Sequence, residues 1–593
     1  MIKPIPPAFL YIVGALFIPF FKGRLKPLYL LSVSVIAFIN LFFMEAGTRW
    51  VHPFLNYDWI FLKVDRLSLI VGYIFILIGF LAILYSLHVK EDGQHAAGFL
   101  YIGSSLGVIF AGDYFSLFIF WEIMAVSGVL LIWYHRGKES LDAGFRYLLM
   151  HFFGGSSILI GILIHAYSTG SMIVGPLENS WASLFILIGF GLNTAFIPLH
   201  TWLPDGYSEG TVTGSVFLSV YTTKTGVYVL ARCFSGVDLV AYMGGVMALY
   251  GVIFALLQND TRKLLSYHIV SQVGYMVAGV GIGIPLGVNG GIAHLFNHIL
   301  YKSLLFMCMG SVIYMTGKRK LTELGGLAKQ MPVTCLTCLV ASLSISGAPG
   351  FNGFVSKGMV LSSVVEAHKP ILELLLFLAS VGTLLSFTKL CFYTFFAKNQ
   401  TIQTKEAPWN MQLAMGATAL LCIFYGVYPQ ALFNLLPFPP VSVHPYSTSH
   451  VIGTIQLFLG AGVVFMMVRS AFSPLEGMVL DFDYFYRMAF RGIAWLADVA
   501  FNGLRLRVQT AFSRRIDGVV RLSRDPMLIF ERIIAYFQPN VEGFYNPETG
   551  RSKIDEPIYD ENWYRKPMGL GVLLAILMLF IYGLIYILQS KMG

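Results

Sequence analysis

Long apolar stretches recur almost from one end of this chain to the other, and they restrict its possible folds more than any other feature. Of the 593 residues, 56% are hydrophobic and 12% are charged, a composition that excludes an ordinary soluble protein. Stretches such as residues 69–87, 184–197 and 570–588 are each long enough, alone or with their flanks, to cross about 30 Å of hydrocarbon as a helix. The pattern predicts an all-α polytopic membrane protein with about 15 or 16 transmembrane helices.

We number the expected transmembrane helices in chain order as spans 1 to 16. Their expected ranges are 8–21, 28–45, 66–88, 96–112, 115–134, 144–167, 182–200, 211–233, 239–257, 265–284, 288–314, 332–366, 371–396, 411–431, 450–471 and 568–589. Connections after spans 1, 3, 5, 9, 11 and 13 contain Lys and Arg, whereas those between spans 4 and 5, 6 and 7, and 10 and 11 contain none. Because positive loops stay in the cytoplasm, the N-terminus is expected outside.

Two spans contain residues that a continuous helix would not choose. Residues 347–353, Gly-Ala-Pro-Gly-Phe-Asn-Gly, interrupt span 12, and residues 198–205, Pro-Leu-His-Thr-Trp-Leu-Pro-Asp, end span 7. Transporters use broken helices at ion sites because the break frees backbone dipoles. The span 7 motif is equally consistent with an interfacial turn with an aromatic anchor. Since spans 7 and 8 resemble spans 12 and 13, we expect two five-helix repeats inverted in the membrane.

The segment after span 15 has a different character. Residues 480–535 mix aromatic and aliphatic residues with many arginines, which predicts amphipathic helices on the cytoplasmic face. They could bind anionic lipid headgroups, brace neighbouring subunits, or do both. The net charge of +9 therefore indicates membrane orientation and not nucleic-acid binding.

Ionisable residues stand inside apolar spans, where they are costly and indicate a function. Glu122 lies in span 5 and Lys224 in span 8. Loss of water disfavours the charged form of either group, so a neighbouring partner decides whether it holds its proton. A lysine that alternates between such environments is a proton carrier.

Span 11 carries His294, His298 and Lys302 at spacing i, i+4 and i+8, which places them on one helix face. They form a plausible proton relay or water wire, although buried neutral histidines could also serve only as packed structure. Lys357 follows the span 12 break by four residues and is a further candidate. Lys389 ranks below it because its side chain could reach the membrane interface.

Other buried histidines are lesser candidates. His151 in span 6 and His268 in span 10 could equally be hydrogen-bonded structure, and His200 stands in the span 7 motif. Cys335 and Cys338 are the only close cysteine pair, and no second pair or histidine completes a zinc set. We expect no metal, no cofactor and no catalytic redox site in this chain, so that redox cofactors, if any, belong to other subunits.

Together these motifs resemble the antiporter-like membrane subunits shared by Mrp-type multisubunit sodium/proton antiporters, respiratory complex I and membrane-bound hydrogenases. The resemblance covers spans 3 to 14 and rests on residues 121–122, 198–205, 223–228, 260–267, 294–302 and 353–357. It implies Glu122 as the span 5 acid, Lys224 as the span 8 lysine, the span 11 set as the connecting relay and Lys357 as the exit-side group.

The resemblance also implies a domain organisation. It comprises N-terminal helices in residues 1–95, antiporter-like repeats in 96–233 and 239–396, additional helices in 411–471, the amphipathic region in 480–535 and a final helix in 568–593. The family commonly has a lysine where this chain has Asn193. Either Lys224 becomes the partner of Glu122, or only the C-terminal half remains ion-competent.

The expected function is ion translocation by a component of a multisubunit monovalent cation (Na⁺)/H⁺ antiporter, resembling the D-type Mrp component, in a bacterial or archaeal cell (inner) membrane. A proton-pumping component of a redox-driven complex, such as a complex I-like dehydrogenase or hydrogenase, is the alternative, and a membrane scaffold for a soluble zinc enzyme is a third. Expected partners are other subunits, lipids, protons and sodium or another monovalent cation, and no nucleic acid.

Overall fold

A computed structural model describes residues 4–54, 57–397, 402–439, 443–467, 474, 477 and 480–524. Before the first break, the helices and strands are α1 (Pro7–Phe17), α2 (Leu25–Phe42), β1 (Arg49–Phe54), β2 (Tyr57–Lys63), α3 (Arg66–Tyr85), α4 (Asp92–Phe110), α5 (Tyr114–Trp133), α6 (Lys138–Thr169) and α7 (Trp181–Asn193). The next helices are α8 (Trp202–Glu209), α9 (Gly214–Val220), α10 (Thr222–Cys233), α11 (Asp238–Leu257), α12 (Thr261–Ile282) and α13 (Pro285–Thr316).

The remaining helices are α14 (Pro332–Ser346), α15 (Asn352–Glu366), α16 (Pro370–Cys391), α17 (Trp409–Val427), α18 (Gln430–Phe433), α19 (Thr448–Met467), α20 (Asp483–Trp495) and α21 (Asn502–Arg524). Short 3₁₀ or π turns cover Ile18–Phe20, Leu321–Glu323, Leu327–Lys329, Phe392–Phe396 and Leu496–Phe501.

The all-α polytopic membrane architecture is confirmed. Within the described residues, nine helices are long and apolar enough to cross a membrane, and three shorter apolar helices accompany them. Each of spans 1 to 15 coincides with one or two helices of the structure. Span 16 lies outside the described residues.

Spans 8 and 12 each contain two helices, whereas span 7 contains α7 alone and α8 begins just beyond it. The division of span 12 falls where the Pro- and Gly-containing motif predicted it, and α8 begins within the motif of residues 198–205 that was expected to end span 7. The division of span 8 at Tyr221, between α9 and α10, was not predicted, so the expectation of one continuous helix over residues 211–233 was wrong. No proline or glycine marks Tyr221, which is why the sequence pattern missed it.

An antiparallel pair of strands, β1 and β2, is an addition to the predicted helices. Ile60 pairs with Val51, and the Ile60 backbone also bonds to the connection between α4 and α5 through Gly112 and Asp113. Along β2 the apolar residues Ile60 and Leu62 are buried, because alternate side chains of a strand point to the same face. The pair thus covers one end of the helices that carry Glu122 and its neighbours.

Small residues allow the central helices to approach closely. A Cβ on Gly244 of α11 would lie 2.4 Å from the backbone nitrogen of Ala278 in α12, and a Cβ on Gly274 would lie 2.5 Å from that of Ala248. Helices inside membranes associate through this kind of packing, since apolar side chains gain little by leaving lipid. The contact fixes α12, which carries His268 among the predicted candidates.

The chain divides into two compact units, residues 1–488 and residues 489–593. The first unit contains all the described apolar helices and the first residues of α20. In the second unit, α21 carries exposed apolar residues, such as Leu504 and Val508, together with arginines. The helical amphipathic character matches the prediction for this region, while its cytoplasmic location stays a prediction.

Candidate ion-translocation site

The break in span 12 lies directly beside the helix that carries the predicted relay. Gly347 and Gly350 between α14 and α15 adopt φ values of +82° and +90°, which favour glycine. Asn297 of α13 donates its side-chain amide to the carbonyl of Asn352 at 2.8 Å, and Asn352 donates to the carbonyl of Asn297 at 3.4 Å. This reciprocal pair ties the start of α15 to the middle of α13.

His294 joins three helices through both ring nitrogens. Its Nδ1 lies 3.0 Å from the Ser356 hydroxyl of α15, and its Nε2 lies 3.3 Å from Gln272 Oε1 of α12 and 3.3 Å from the Tyr301 hydroxyl. The ring is fully buried. An imidazole with polar neighbours on both nitrogens can take a proton on one side and release it on the other.

His298 and Lys302 continue the same helix. The His298 ring centre lies 6.4 Å from that of His294 and 5.3 Å from that of Tyr301, and neither of its nitrogens has a hydrogen-bond partner among the described residues. Lys302 Nζ donates to the carbonyl of Leu265 at 3.3 Å. The predicted face of titratable groups is therefore inside the bundle and not toward lipid.

Lys357 has no hydrogen-bond partner for its amine in the part of the chain that the structure describes. Its Nζ lies 5.1 Å from the centre of the Tyr275 ring, a distance at which a cation is attracted to the ring face. Lys357 follows Ser356, the residue that contacts His294. The structure thus brings Lys357, the predicted exit-side lysine, next to the start of the predicted relay.

Lys224 is fully buried, and its Nζ donates to the carbonyl of Ser219 at 2.6 Å. Ser219 belongs to α9, so the amine bonds across the unpredicted division at Tyr221. Lys302 is within electrostatic range of both Lys224 and Lys357, and His298 is within range of Lys224 and Lys302. The structure therefore places Lys224 in the same buried set as the three span 11 residues and Lys357.

Glu122 stands apart from this set. Its Oε1 is buried without a hydrogen-bond partner among the described residues, and it lies against α6, where a Cβ on Gly155 would come within 1.9 Å of Oε1. No ion pair between Glu122 and Lys224 occurs in the described structure. Lys224 instead bonds to Ser219, so it does not replace the missing span 7 lysine as a direct partner.

Asn193 is the last residue of α7 and is fully buried. Neither its side-chain nitrogen nor its oxygen has a partner within the described residues. It lies against α10, since a Cβ on Gly226 would be 3.3 Å from the Asn193 carbonyl carbon. The backbone of Asn193 therefore packs against α10 at the break.

Two of the lesser candidates have mainly structural surroundings. His151 Nδ1 lies 2.9 Å from the carbonyl of Tyr147, and its ring stacks on Tyr147 and meets Trp202 edge-on. Lys389 Nζ donates to the carbonyls of Leu256 and Gln258 at 2.7 and 3.1 Å. These carbonyls end α11, and a lysine there satisfies groups that have no partner inside the helix.

His200 has a partner that sequence reasoning missed. Its Nε2 lies 3.2 Å from Asp481 Oδ2, and the hydroxyls of Tyr267 and Tyr250 donate to the two Asp481 oxygens at 2.5 Å each. Burial by itself raises the pKa of this carboxyl, but the contacts with His200 and the two tyrosines outweigh it and lower the pKa to about 2. Asp481 thereby attaches the start of the amphipathic region to the span 7 break.

Comparison with known proteins defines the class of this fold and site. Residues 111–386 match the transmembrane family described as NADH:quinone oxidoreductase/Mrp antiporter. An uncharacterised protein of Methanocaldococcus jannaschii is 31% identical over 358 residues, which cover 56% of this chain and 74% of that protein. The chain belongs to the NADH:quinone oxidoreductase/Mrp antiporter membrane family, which confirms the resemblance to antiporter-like membrane subunits that the sequence motifs indicated.

The named relatives are components of Na(+)/H(+) antiporters. The A-type component of the Alkalihalophilus pseudofirmus antiporter is 30% identical over 443 residues, covering 66% of this chain and 55% of the relative. The A1-type component of the Staphylococcus haemolyticus antiporter is 27% identical over 543 residues, covering 80% of this chain and 67% of the relative. The chain therefore spans about half to two thirds of the length of these two relatives, which are A-type components where the sequence pattern suggested the D type.

Solved structures share the fold. A chain of the Mrp complex from a Dietzia species superposes with a TM-score of 0.66 at 19% identity and covers 76% of this chain and 97% of that chain. A chain of respiratory complex I from Thermus thermophilus gives 0.67 at 22% identity, with 76% and 99% covered. A chain of the archaeal membrane-bound sulfane sulfur reductase gives 0.66 at 22% identity, with 77% and 98% covered.

Proposed function

We propose that this chain is a proton- and cation-translocating subunit of a multisubunit monovalent cation/proton antiporter, with sodium as the first candidate cation. One observation carries the proposal: a buried set of Lys224, His294, His298, Lys302 and Lys357 lies beside two helix divisions. The antiporter relatives support the choice of cation/proton exchange. Membership in the family supports the general class of ion transport.

Electrostatic competition between the lysines provides a mechanism. Lys302 lies within electrostatic range of both Lys224 and Lys357, and like charges in a poorly solvated interior repel strongly. A proton on one amine therefore disfavours a proton on the next. Protonation at Lys357 would favour proton loss from Lys302, and loss from Lys302 would favour protonation of Lys224, so charge can move through the set in alternation.

The histidines provide the chemical connection in this proposal. His294 has polar neighbours on both nitrogens, and His298 lies between it and Lys302 along α13. The Ser219 carbonyl accepts a hydrogen bond from the Lys224 amine, whereas the Lys357 amine has no hydrogen-bond partner among the described residues and lies over the Tyr275 ring. The Lys224 amine is therefore held in one position by a hydrogen bond, and the Lys357 amine is not.

Location and partners follow from the same family. We propose a cell (inner) membrane location with the N-terminus outside and the region 480–535 at the cytoplasmic side, as the distribution of basic loops indicates. The likenesses to chains of an Mrp complex and of complex I support an assembly with other subunits. The basic amphipathic helices suit contact with anionic lipid.

A redox-driven proton pump is the second candidate, and the structural likeness to chains of complex I and of the sulfane sulfur reductase favours it. The deciding measurement is cation-dependent pH change in inverted vesicles that contain the whole complex, with and without an electron donor. Sodium-dependent proton exchange without donor supports the antiporter. Acidification that requires donor supports the redox pump and contradicts the antiporter.

Lys224→Ala and Glu122→Gln should each abolish exchange in these vesicles while leaving assembly intact. Lys224→Ala removes an amine that is fully buried, and Glu122→Gln removes a half-buried carboxyl whose Oε1 has no hydrogen-bond partner among the described residues. The matched control is Lys369→Ala, since Lys369 lies outside the buried set and pairs with Asp238 at 2.8 Å. Normal ion flux in the Lys224→Ala complex would contradict the proposed role of this set.

A further inference from the structure

The C-terminal end of α8, the helix that follows the span 7 break, contacts a residue of the second repeat. Arg262, in the first turn of α12, donates through Nη1 to the carbonyls of Gly210 at 2.6 Å and Ser208 at 3.3 Å. These carbonyls lie at the C-terminal end of α8, where helix carbonyls lack intrahelical partners and a positive charge is favourable. Arg262 is buried, so a helix of the second repeat caps a helix of the first.

A second arginine strengthens the same contact. Arg319, in the connection after α13, pairs with Glu209 at 2.8 Å through Nη2 and with Asp260 at 2.6 Å through Nε. Asp260 in turn caps α12 by accepting from the backbone nitrogens of Arg262 and Lys263. We call Glu209, Asp260, Arg262 and Arg319 the charged clamp. Its two acids balance its two arginines.

The surroundings of the charged clamp add few further charges. His135 Nδ1 lies 3.1 Å from the carbonyl of Glu209, and Lys263 is within electrostatic range of the Glu209 carboxylate. Glu139 is within range of Arg319. Glu209 itself is almost fully buried, and an ion pair with little access to water is costly to leave with one charge unpartnered.

The first turn of α12 also touches the proposed path. Leu265, whose carbonyl accepts from Lys302 at 3.3 Å, lies three residues after Arg262 and therefore on the same turn of the helix. One rigid turn thus holds α8 of the first repeat through Arg262 and Lys302 of the second repeat through Leu265. A shift of α8 against α12 would pass directly to the Lys302 amine.

We infer that Glu209 and Arg319 are positioning residues for ion translocation, which hold α8 against the first turn of α12 and so keep the span 7 break in register with Lys302. The inference rests on the proposed function of the buried set. It adds a link between the two repeats that involves none of the titratable groups on the path. The charged clamp carries no transported ion in this mechanism.

The test uses the full complex in inverted vesicles, with Glu209→Gln, Arg319→Gln and the double variant. Each single variant should slow exchange per assembled complex about 2- to 30-fold. It should also shift the pH of half-maximal exchange, because Lys302 loses a fixed position. The double variant should be no slower than the slower single variant, since both break the same contact. Asp238→Asn, which breaks the exposed pair with Lys369, is the matched control and should leave both readouts unchanged.

The pH profile separates positioning from simple structural support. A loss of rate that follows only the amount of assembled complex, with the wild-type pH profile, would overturn the inference, as would a wild-type rate and profile in Glu209→Gln. If that variant does not assemble, Glu209→Asp and Arg319→Lys, which keep the charges, are measured in the same way. A shifted pH profile is again expected, and an unshifted pH profile would overturn the inference. Absence of exchange in the wild-type complex would instead reject the proposed function.

Discussion

At the scale of single residues, two lysines of the second repeat have opposite surroundings. Lys357 has no hydrogen-bond partner for its amine among the described residues, whereas Lys389 donates to two carbonyls at the end of α11. The first arrangement leaves the amine available for proton exchange. The second uses it as a helix cap.

Lys389→Ala should therefore reduce stability more than transport. Removing the amine leaves the carbonyls of Leu256 and Gln258 without this donor, at a cost of about 1–3 kcal/mol for buried polar groups. We expect a lower thermal unfolding temperature of the purified complex and more than half of the wild-type exchange per assembled complex. Lys357→Met is the comparison variant, with unchanged unfolding temperature and no exchange. Equal loss of exchange in both variants would show that Lys389 also carries protons.

Asn193→Leu should separate stability from function at the span 7 break. The Asn193 amide has no described partner although it is fully buried, and an unpartnered buried amide costs about 1–3 kcal/mol. An apolar residue of similar size should leave the unfolding temperature unchanged or raise it, while exchange slows because a buried polar group at the span 7 break is lost. Undiminished exchange in Asn193→Leu would show that the first repeat translocates without this side chain.

Sequence reasoning identified residues whose chemistry is unusual for their location, and the structure brings most of them together. Lys224, His294 and Lys357 could be found because a charge or an imidazole inside an apolar span can be recognised from the sequence alone. Asp481 could not, because it is an ordinary carboxylate in the amphipathic region and its partner His200 is 281 positions away. Pairings over such distances depend on the fold and not on local pattern.

At the scale of helices and strands, the proline and glycine signal predicted the division of span 12 correctly, and the motif of residues 198–205 marked where α8 begins. The division at Tyr221 has no such signal. It coincides with the Lys224 amine, which takes the Ser219 carbonyl that a continuous helix would use. The strands β1 and β2 were missed because their apolar residues alternate over too few positions to stand out beside long apolar spans.

Gly426→Ala should disrupt the span 12 break from outside. A Cβ on Gly426 of α17 would lie 2.4 Å from the carbonyl oxygen of Gly350 and 2.5 Å from the backbone of Phe351, so α17 or the break must move. We expect a lower unfolding temperature and reduced exchange. Gly416→Ala, on the same helix but in open space, is the control and should be neutral or stabilising by up to about 1 kcal/mol through helix propensity. Tolerance of Gly426→Ala with full exchange would contradict tight packing at the break.

At the scale of the whole molecule, composition and hydropathy were enough to predict the membrane fold, whereas the orientation taken from the distribution of basic residues stays a prediction. The relative placement of the two repeats was not predictable in the same way. It depends on close helix contacts, such as that between Gly244 and Ala278, and on charge pairs between distant loops, such as Glu209 with Arg319.

Cysteine labelling should report the predicted orientation. All six native cysteines are free and buried, so background reaction with a membrane-impermeant maleimide should be low. Glu178→Cys, in the connection between spans 6 and 7, should react in intact cells, whereas Lys138→Cys, in the connection between spans 5 and 6, should react only in inverted vesicles. Both positions are exposed in the structure. The reverse pattern would place the N-terminus in the cytoplasm.

The paired amides of Asn297 and Asn352 limit how the second repeat can open. Each side chain bonds to the backbone of the other residue, so separation of α15 from α13 has to break both bonds together and leave polar groups where new partners are scarce. Any movement of α15 should therefore carry α13 with it, and the left-handed glycines Gly347 and Gly350 are the backbone positions between α14 and α15 at which such a movement meets least steric resistance. Gating in this half of the molecule then becomes a rotation of the relay helix itself, which would carry its histidines from one set of neighbours to another.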